Sequence, residues 1–483
     1  MRLSHGHVRL RVRNPGLRDE LKRIVGATEA QSGAGKRTAV SSEAQSRTYP
    51  GSLSYVEEGP PPGGRGPSER REGQVCAKIG AKNHVSATRS RARGQLPLSY
   101  ILCVSRFAID VTACWRPQRV GMLTVAVELS RALVANRSGD DFVLLCSRER
   151  PEGLQGADCE AVLSPYRHEL ALKSRWIPAI EPKLQSDAIL YPYWPSPPVR
   201  RPGAPPAAIF VHDLAFRIRP AEVPWQQRLY FRTVLPPALR GAAAVLVPSE
   251  STRRDLLKLY PIPGLEQRVE VISEGLPPAV DPGPLPEGIE PGFILAVGTV
   301  EPRKNYARLL VAYRQLRGRH GSLPFIINGR PGVPELVIAG RPGWAYGDTL
   351  QRIASEPGVR YLGHVDEPTL AALYAAASVL AFPSLYEGFG LPLLEAMARG
   401  IPAVVGTAGA LPELALGAAI SVDADDSNAI AGALERLLAD DGLRIKLGEE
   451  GKRRAKGYTW ANAARSTLAV LRRIGQGSER KVA

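Results

Sequence analysis

Cysteine is scarce and poorly placed for chemistry. The 483-residue chain has five, Cys76, Cys103, Cys114, Cys146 and Cys159, all in its first third and none in a Cys-x-x-Cys pair. Such a set is neither a disulfide framework nor a zinc site, and it points to a reducing cytoplasm. Long apolar runs are missing too. The closest, Ala371 to Pro383, contains Tyr374 and Ser378 and falls short of the about 18 residues that span a bilayer. The opening Met1-Arg2-Leu3-Ser4-His5 lacks the apolar stretch of a secretory signal. No Gly-x-Gly-x-x-Gly follows a first strand, which sets aside an ordinary dehydrogenase fingerprint. Gly33-Ala34-Gly35-Lys36-Arg37-Thr38 is no phosphate loop, because Ala30 and Arg37 stand where glycine and Ser or Thr are needed. His168, His320 and His364 have no partners at metal-ligand spacing and are read as structural.

What the chain has in excess is positive charge, formally +16. Residues 1–95 hold 18 Lys or Arg against 8 Asp or Glu, while the remainder holds 45 against 39. The basicity therefore belongs mostly to the N-terminal segment, and no specific nucleic-acid partner is expected of the folded body. Residues 1–97 read as a disordered basic tail. Gly, Ser, Pro and Arg recur there without period, as in Gly59-Pro60-Pro61-Pro62-Gly63-Gly64-Arg65, and cannot bury enough apolar area to offset the ordering entropy.

From Leu98 short apolar strands alternate with amphipathic helices. Strands are expected over 101–109, 142–146, 207–211, 243–247 and 269–272, with helices over 125–135 and, capped by Ser249, through Leu259. A second series begins at Phe293, with strands over 293–297, 335–339, 359–361, 379–382 and 401–405. Its helices cover 307–317, 369–376, 392–399 and 427–438. The Pro/Gly-rich stretch from Gly275 to Gly292 separates the two series. The expectation is an α/β protein of two Rossmann-like domains, 98–280 and 281–483, with a ligand cleft at the C-terminal ends of their strands.

Three segments carry chemistry. In Phe382-Pro383-Ser384-Leu385-Tyr386-Glu387-Gly388-Phe389-Gly390-Leu391-Pro392-Leu393-Leu394-Glu395, a strand ends and a helix begins. The two glycines let backbone approach a ligand and present N–H groups at a helix N-terminus, a site for diphosphate. Glu387 stands at the mouth of this loop, and Glu395 can reach back toward a sugar or ribose hydroxyl. Directly after the second series' first strand come Gly298-Thr299-Val300-Glu301-Pro302-Arg303-Lys304-Asn305, where two cations could clamp a diphosphate leaving group. In Val211-His212-Asp213-Leu214 a strand ends in a histidine that can face the same cleft.

Taken with Pro248-Ser249-Glu250-Ser251-Thr252, Gly340-Arg341-Pro342-Gly343-Trp344 and Leu362-Gly363-His364-Val365 in this order, the chain resembles the retaining nucleotide-sugar glycosyltransferases of the group 1 type. These have two facing Rossmann-like domains, the GT-B fold, and the likeness runs from about Phe107 to Arg473. It is nearest to mannosyltransferases of polysaccharide and lipopolysaccharide assembly. The resemblance implies that Arg303 and Lys304 hold the donor diphosphate, assisted by amides at Gly388, Phe389, Gly390 and Leu391. It gives Glu395 the ribose, Glu387 the transferred sugar, and Val365 the nucleotide base. His212 would sit by the sugar and acceptor, with Asp213 and the loop at Gly121 on the acceptor and phosphate side, that loop closing over the phosphate from the first domain. The resemblance implies no metal or other cofactor, and no Asp-x-Asp is read in a candidate cleft loop, which agrees. The expected reaction transfers a hexose, mannose from GDP-mannose in first place, to a saccharide or lipid-linked saccharide. The location that follows is cytoplasmic, with peripheral contact at the inner face of the membrane. A nucleotide-sugar isomerase or epimerase on the same fold, or a non-catalytic binding protein, are the alternatives. Three positions depart from the family pattern: Thr299 stands in place of arginine, Glu274-Gly275-Leu276 in place of Asn-Gly-Val, and the loop at Gly121 lacks its second glycine. The last helix is expected to cross back to the first domain.

Overall fold

The computed structural model describes residues 105–479 except 116–120, 137–138, 167, 169–170, 194–195, 198, 320–325, 328–329 and 345–346. Before residue 105 it describes only the backbones of three strands, β1 (Gln74–Ile79), β2 (Asn83–Arg89) and β3 (Leu98–Ile101), which pair antiparallel in that order. β1 and β2 fall inside the segment read as a disordered tail, and the rest of residues 1–97 lies outside the described residues. The chain divides into two compact units, residues 1–107 with 136–143 and residues 108–135 with 144–483.

A first parallel sheet is built from β4 (Arg106–Asp110), β5 (Asp141–Cys146), β6 (Glu160–Leu163), β7 (Ala188–Tyr191), β8 (Ala207–Phe210), β9 (Ala244–Val247) and β10 (Val269–Val271). Its order is β10-β9-β8-β7-β4-β5-β6. The main helices between these strands are α1 (Gly121–Ala135), α2 (Ala215–Ile218), α3 (Trp225–Gly241) and α4 (Glu250–Leu259), with a short helical segment over Leu172–Trp176 and Ile177–Ile180 before β7. Ser249 caps α4 by accepting the Thr252 amide. The apolar run 101–109, read as one strand, is broken: β3 ends at Ile101 and β4 begins at Arg106. Short β6 and β7 were not anticipated.

A second sheet uses β11 (Ile294–Val297), β14 (Leu336–Ala339), β15 (Val359–Gly363), β16 (Val379–Phe382), β17 (Ala403–Gly406) and β18 (Ile420–Val422), with a small hairpin of β12 (Ile326–Ile327) and β13 (Arg330–Pro331) beside it in sequence. Its order is β15-β14-β11-β16-β17-β18 and every pair is parallel. The accompanying helices are α5 (Tyr306–Arg319), α6 (Gly347–Ser355), α7 (Glu367–Ala376), α8 (Leu391–Arg399), α9 (Leu411–Ala415) and α10 (Ser427–Ala439), followed by α11 (Asp441–Ala455) and α12 (Trp460–Glu479).

Both faces of the second sheet are covered, and the strand period assigns the residues to each. Ile294, Ala296, Ile338 and Ala381 point into a core with Leu309, Leu310 and Tyr313 of α5 and Leu434 and Leu437 of α10. Their neighbours Leu295, Val337, Leu380 and Phe382 point the other way, against Leu373 and Tyr374 of α7, Leu393 and Met397 of α8, and Leu411 of α9. This explains why the strands read as nearly continuous apolar runs.

Residues 272–292, around the expected boundary at 280, are irregular chain between β10 and β11. They are held by the end of the chain: the Leu276 amide donates to the Tyr458 carbonyl over 3.0 Å. A Cβ on Gly275 would overlap the backbone of Trp460, so the close passage requires glycine there. α12 then lies against α1 and β7 of the first sheet, and Arg473 pairs with Glu270 at 2.6 Å. Among the described residues no helix is long and apolar enough to cross a membrane.

Candidate active site

In the second sheet the strand order reverses between β11 and β16, so the loops that follow these two strands part on opposite sides of a crevice. That switch point is where open parallel sheets bind ligands. The loop after β11 carries Arg303 and Lys304, and the loop after β16 carries Glu387. The two meet. Arg303 Nη1 donates to Glu387 Oε2 at 2.7 Å and to the Tyr386 carbonyl at 2.9 Å. Lys304 Nζ donates to Glu387 Oε1 at 2.7 Å and lies 4.8 Å from the centre of the Phe382 ring. Arg303 Nη2 also pairs with buried Glu301 at 2.8 Å. All four charges are thus linked in one network, with both carboxylates buried and both cations half-buried.

Burial alone would raise the Glu387 carboxyl, but Arg303 and Lys304 outweigh it and hold the group down at about 2. Glu301 shows the reverse balance, with burial keeping it above the usual carboxylate range despite Arg303. Arg303 is raised: burial works against its charge, and Glu387 and Glu301 overcome that. A carboxylate fixed in its ionised form between two cations is a strong electrostatic element in a low-dielectric pocket. The expected diphosphate clamp and the expected sugar-binding carboxylate are therefore partners of one another.

Asn305 holds this arrangement and was not singled out from the sequence. It adopts a left-handed backbone (φ 64°), and its side-chain amide donates to Pro383 O at 3.1 Å and Ala424 O at 2.7 Å. It thereby ties the loop after β11 to those after β16 and β18. Its left-handed tolerance was the only available signal. The Leu385 amide adds a bond to the Arg303 carbonyl at 2.9 Å. The loop after β18 also corrects one reading. It contains Asp423-Ala424-Asp425, an Asp-x-Asp next to Asn305 that was passed over. Its carboxylates are committed to protein donors: Asp423 takes the Asp425 amide at 2.9 Å and Asp425 takes Arg308 at 2.6 Å.

His212 and Asp213, just beyond β8, abut the same loop. A Cβ on Gly388 would overlap the His212 carbonyl oxygen and lie 2.9 Å from Asp213 Cβ. His212 is buried and stacks on Phe210 with ring centres 4.6 Å apart. Its Nε2 is 2.9 Å from the Pro192 carbonyl, which can only accept, so this nitrogen carries the proton. Nδ1 faces buried Glu274 at 3.5 Å. Glu274, read only as a departure from a family pattern, is thus the residue opposite the histidine. Asp213 Oδ1 accepts the Ala215 amide at 3.0 Å, where α2 begins.

Gly390 takes φ 113° at the start of α8, and its carbonyl accepts from the Leu393 and Leu394 amides. A Cβ there would come 2.7 Å from Leu411. Phe389 is buried with its ring edge-on to Tyr458. Leu391 begins the helix. The remaining expected site residues are not bonded to the Arg303–Glu387–Lys304 cluster. Glu395 accepts from Tyr374 Oη at 2.7 Å, and burial raises its carboxyl although that bond lowers it. Val365, half-buried after β15, packs with Leu362 against the α7–α8 side of the sheet. Gly121 is the exposed first residue of α1, and the loop before it lies outside the described residues.

Contacts that no sequence pattern announced fasten the loop to α4. Ser249 Oγ and Thr252 Oγ1 both donate to the Gly388 carbonyl, at 2.8 and 3.2 Å. Glu413 of α9 accepts the Glu250 and Ser251 amides at 3.0 Å each, and Tyr386 Oη donates to Asp255 at 2.9 Å. Ser249→Ala removes one donor to a buried carbonyl and one helix cap together. It is expected to cost about 2 kcal/mol, a fall in Tm of a few degrees, whereas Thr252→Ser should cost little. Calorimetry of the two variants checks this.

Two family models match. Glycosyltransferase Family 4 covers residues 120–280, and Glycosyl transferases group 1 covers residues 284–454, which includes the whole Arg303–Glu387 cluster. The O-antigen chain mannosyltransferase B of Escherichia coli is 31% identical over 268 residues, 53% of this chain and 68% of that one. The chain belongs to the group 1 glycosyltransferases. The MMP alpha-(1->4)-mannosyltransferase of Mycolicibacterium hassiacum is 34% identical over 195 residues, 38% of this chain but only 44% of the relative. Among solved structures, sucrose-phosphate synthase from Thermosynechococcus elongatus superposes with a TM-score of 0.59 at 21% identity, covering 77% of this chain and all of the other. Anabaena HepE in complex with UDP and glucose gives 0.56 at 16% identity, covering 76% and 99%. These likenesses establish the two-sheet GT-B fold for this group 1 glycosyltransferase.

Proposed function

We propose that this glycosyltransferase moves a hexose, with retention of anomeric configuration, from a nucleoside-diphosphate sugar to a saccharide or lipid-linked saccharide, and that the donor is GDP-mannose. The observation that carries the reading is the Arg303–Glu387–Lys304 cluster at the switch point of the second sheet. Arg303 and Lys304 bind the diphosphate and stabilise the charge that grows on it as the glycosidic bond breaks. The amides from Gly388 to Leu391, Pro392 having none, add partial positive charge at the start of α8. Glu387 orients the sugar beside the reacting carbon. The acceptor hydroxyl forms the new bond on the face the diphosphate leaves, and its proton passes to the departing phosphate oxygen. Arg303 and Lys304 do the charge work, with no divalent metal in the scheme. His212 lines the sugar and acceptor side, with Asp213 next to it and the loop at Gly121 on the acceptor and phosphate side. Glu395 holds the ribose and Val365 meets the base. The mannosyl assignment draws on the two mannosyltransferase relatives, matched at about one-third identity.

Thermal shift against GDP, UDP, ADP, GDP-mannose, UDP-glucose and UDP-N-acetylglucosamine tests it. A ligand at about 100 times its Kd should stabilise by about 2.7 kcal/mol. The expected result is a guanine-selective shift that is absent in Lys304→Ala. A uridine-selective shift would replace the donor, and no shift with any nucleotide would overturn the reading.

A further inference from the structure

α3 turns an apolar face outward. Trp225 is 62% exposed, Leu229 57% and Tyr230 42%, on a helix whose other face buries Leu235, Ala238 and Leu239. The inner side is pinned by Phe231, whose ring is 5.3 Å from that of Phe216 in α2. At 100° per residue, Trp225 and Leu229 lie 40° apart and are flanked by the exposed Arg232, 20° outside Trp225, and Arg240, 20° outside Leu229, while Tyr230 lies 100° further round and Arg228 falls among the buried Leu235 and Leu239. The seventeen residues include Arg228, Arg232 and Arg240 and no acidic side chain.

We infer that this face of α3 docks on an anionic lipid surface. Trp and Leu at the centre of an exposed arc suit the boundary between headgroups and acyl chains, and bordering arginines can reach lipid phosphates while their stems lie along the apolar surface. A second copy of the chain fits the face less well. A two-fold contact would set Arg232 and Arg240 against those of its partner, with no carboxylate on the helix to answer them. The position suits the proposed chemistry too, and this clause alone rests on the transferase reading. α3 follows α2 and the turn at Glu222, which come directly after His212 and Asp213, and Trp344 bonds the Glu222 carbonyl at 2.9 Å. A saccharide acceptor whose lipid stays in the bilayer would be offered to that end of the site.

The test is cosedimentation of the full chain with vesicles of phosphatidylcholine alone and of phosphatidylcholine with phosphatidylglycerol at a 3:1 ratio. Wild type is compared with the double variant Trp225→Ser, Leu229→Ser at low and high salt. The expected result is binding to the anionic vesicles that persists in part at high salt and drops tenfold or more in the double variant. Equal binding by both proteins, abolished by salt, would assign the contact to the basic N-terminal segment and overturn the inference. So would an absence of vesicle binding, or a concentration-dependent dimer lost in the variant, which would make the face an interface between copies. The nucleotide-induced thermal shift, measured on the same two proteins, separates failure of this inference from failure of the transferase reading.

Discussion

Glu387→Gln should lower the rate of sugar transfer by about 10²- to 10³-fold, the usual cost of removing one preorganised electrostatic contact from a transition state. Glutamine keeps the size and one acceptor oxygen for Arg303 or Lys304 but removes the charge. Both cations then have less to hold them in the ligand-free protein. Nucleotide diphosphates should therefore bind the variant as well as wild type or better, so kcat falls while Kd does not rise. A rate that falls only as far as nucleotide binding weakens would make Glu387 a counter-ion and remove it from the sugar. The pH dependence of stability follows the same charge. The carboxyl titrates at about 2 in the folded chain against 4.5 ordinarily, so its pairing stabilises fully above about pH 4.5 and is lost as pH falls toward 2. Glu301 has the opposite sign, being held above 4.5, and its burial cost is relieved as acid is added. Melting curves of Glu387→Gln should accordingly lose less stability than wild type between about pH 4.5 and 2.

The sequence made the parallel sheets legible because both faces of each are covered. Phe293-Ile294-Leu295-Ala296-Val297 is short and bounded by Gly292 and Gly298, which marks it as a strand buried on two sides. It located Arg303, Lys304 and Glu387 for a related reason: a strand-end loop that begins a helix is a local pattern. Which of them touch is not local. Glu387 lies 83 residues from Lys304, and the Gly388 carbonyl lies 139 residues from Ser249. Asn305, Glu274 and Glu413 take their importance wholly from such distant partners, so their residue types alone said little. β7 escaped notice because four buried residues, Ala188–Tyr191, are too few to show a period, and Pro192 follows at once. The break between β3 and β4 was hidden because the run from 101 to 109 carries no turn residue other than Ser105.

Gly388→Ala should be the most damaging small substitution in the site. The limit is space. The added methyl would overlap the His212 carbonyl oxygen and crowd Asp213 Cβ at 2.9 Å. Neither neighbour can yield easily, since His212 is buried against Phe210 and Asp213 is tied to the Ala215 amide. The loop cannot slide away either, because the Gly388 carbonyl accepts from Ser249 and Thr252 and the Glu387 carbonyl accepts the Ala410 amide. Forcing a methyl into a packed site costs about 1–3 kcal/mol, which lowers Tm by several degrees. The rate should fall further than stability does, because a displacement of about 1 Å of Glu387 and the α8 amides costs about 10²-fold in catalysis. Gly121→Ala supplies the contrast within the same chain. A Cβ there meets nothing within 4 Å, and alanine favours the helix that begins at this residue, so Tm should hold or rise slightly. Measuring kcat and Tm for the pair decides the matter: full activity in a folded Gly388→Ala protein would mean that the close approach of the loop to His212 plays no part in transfer.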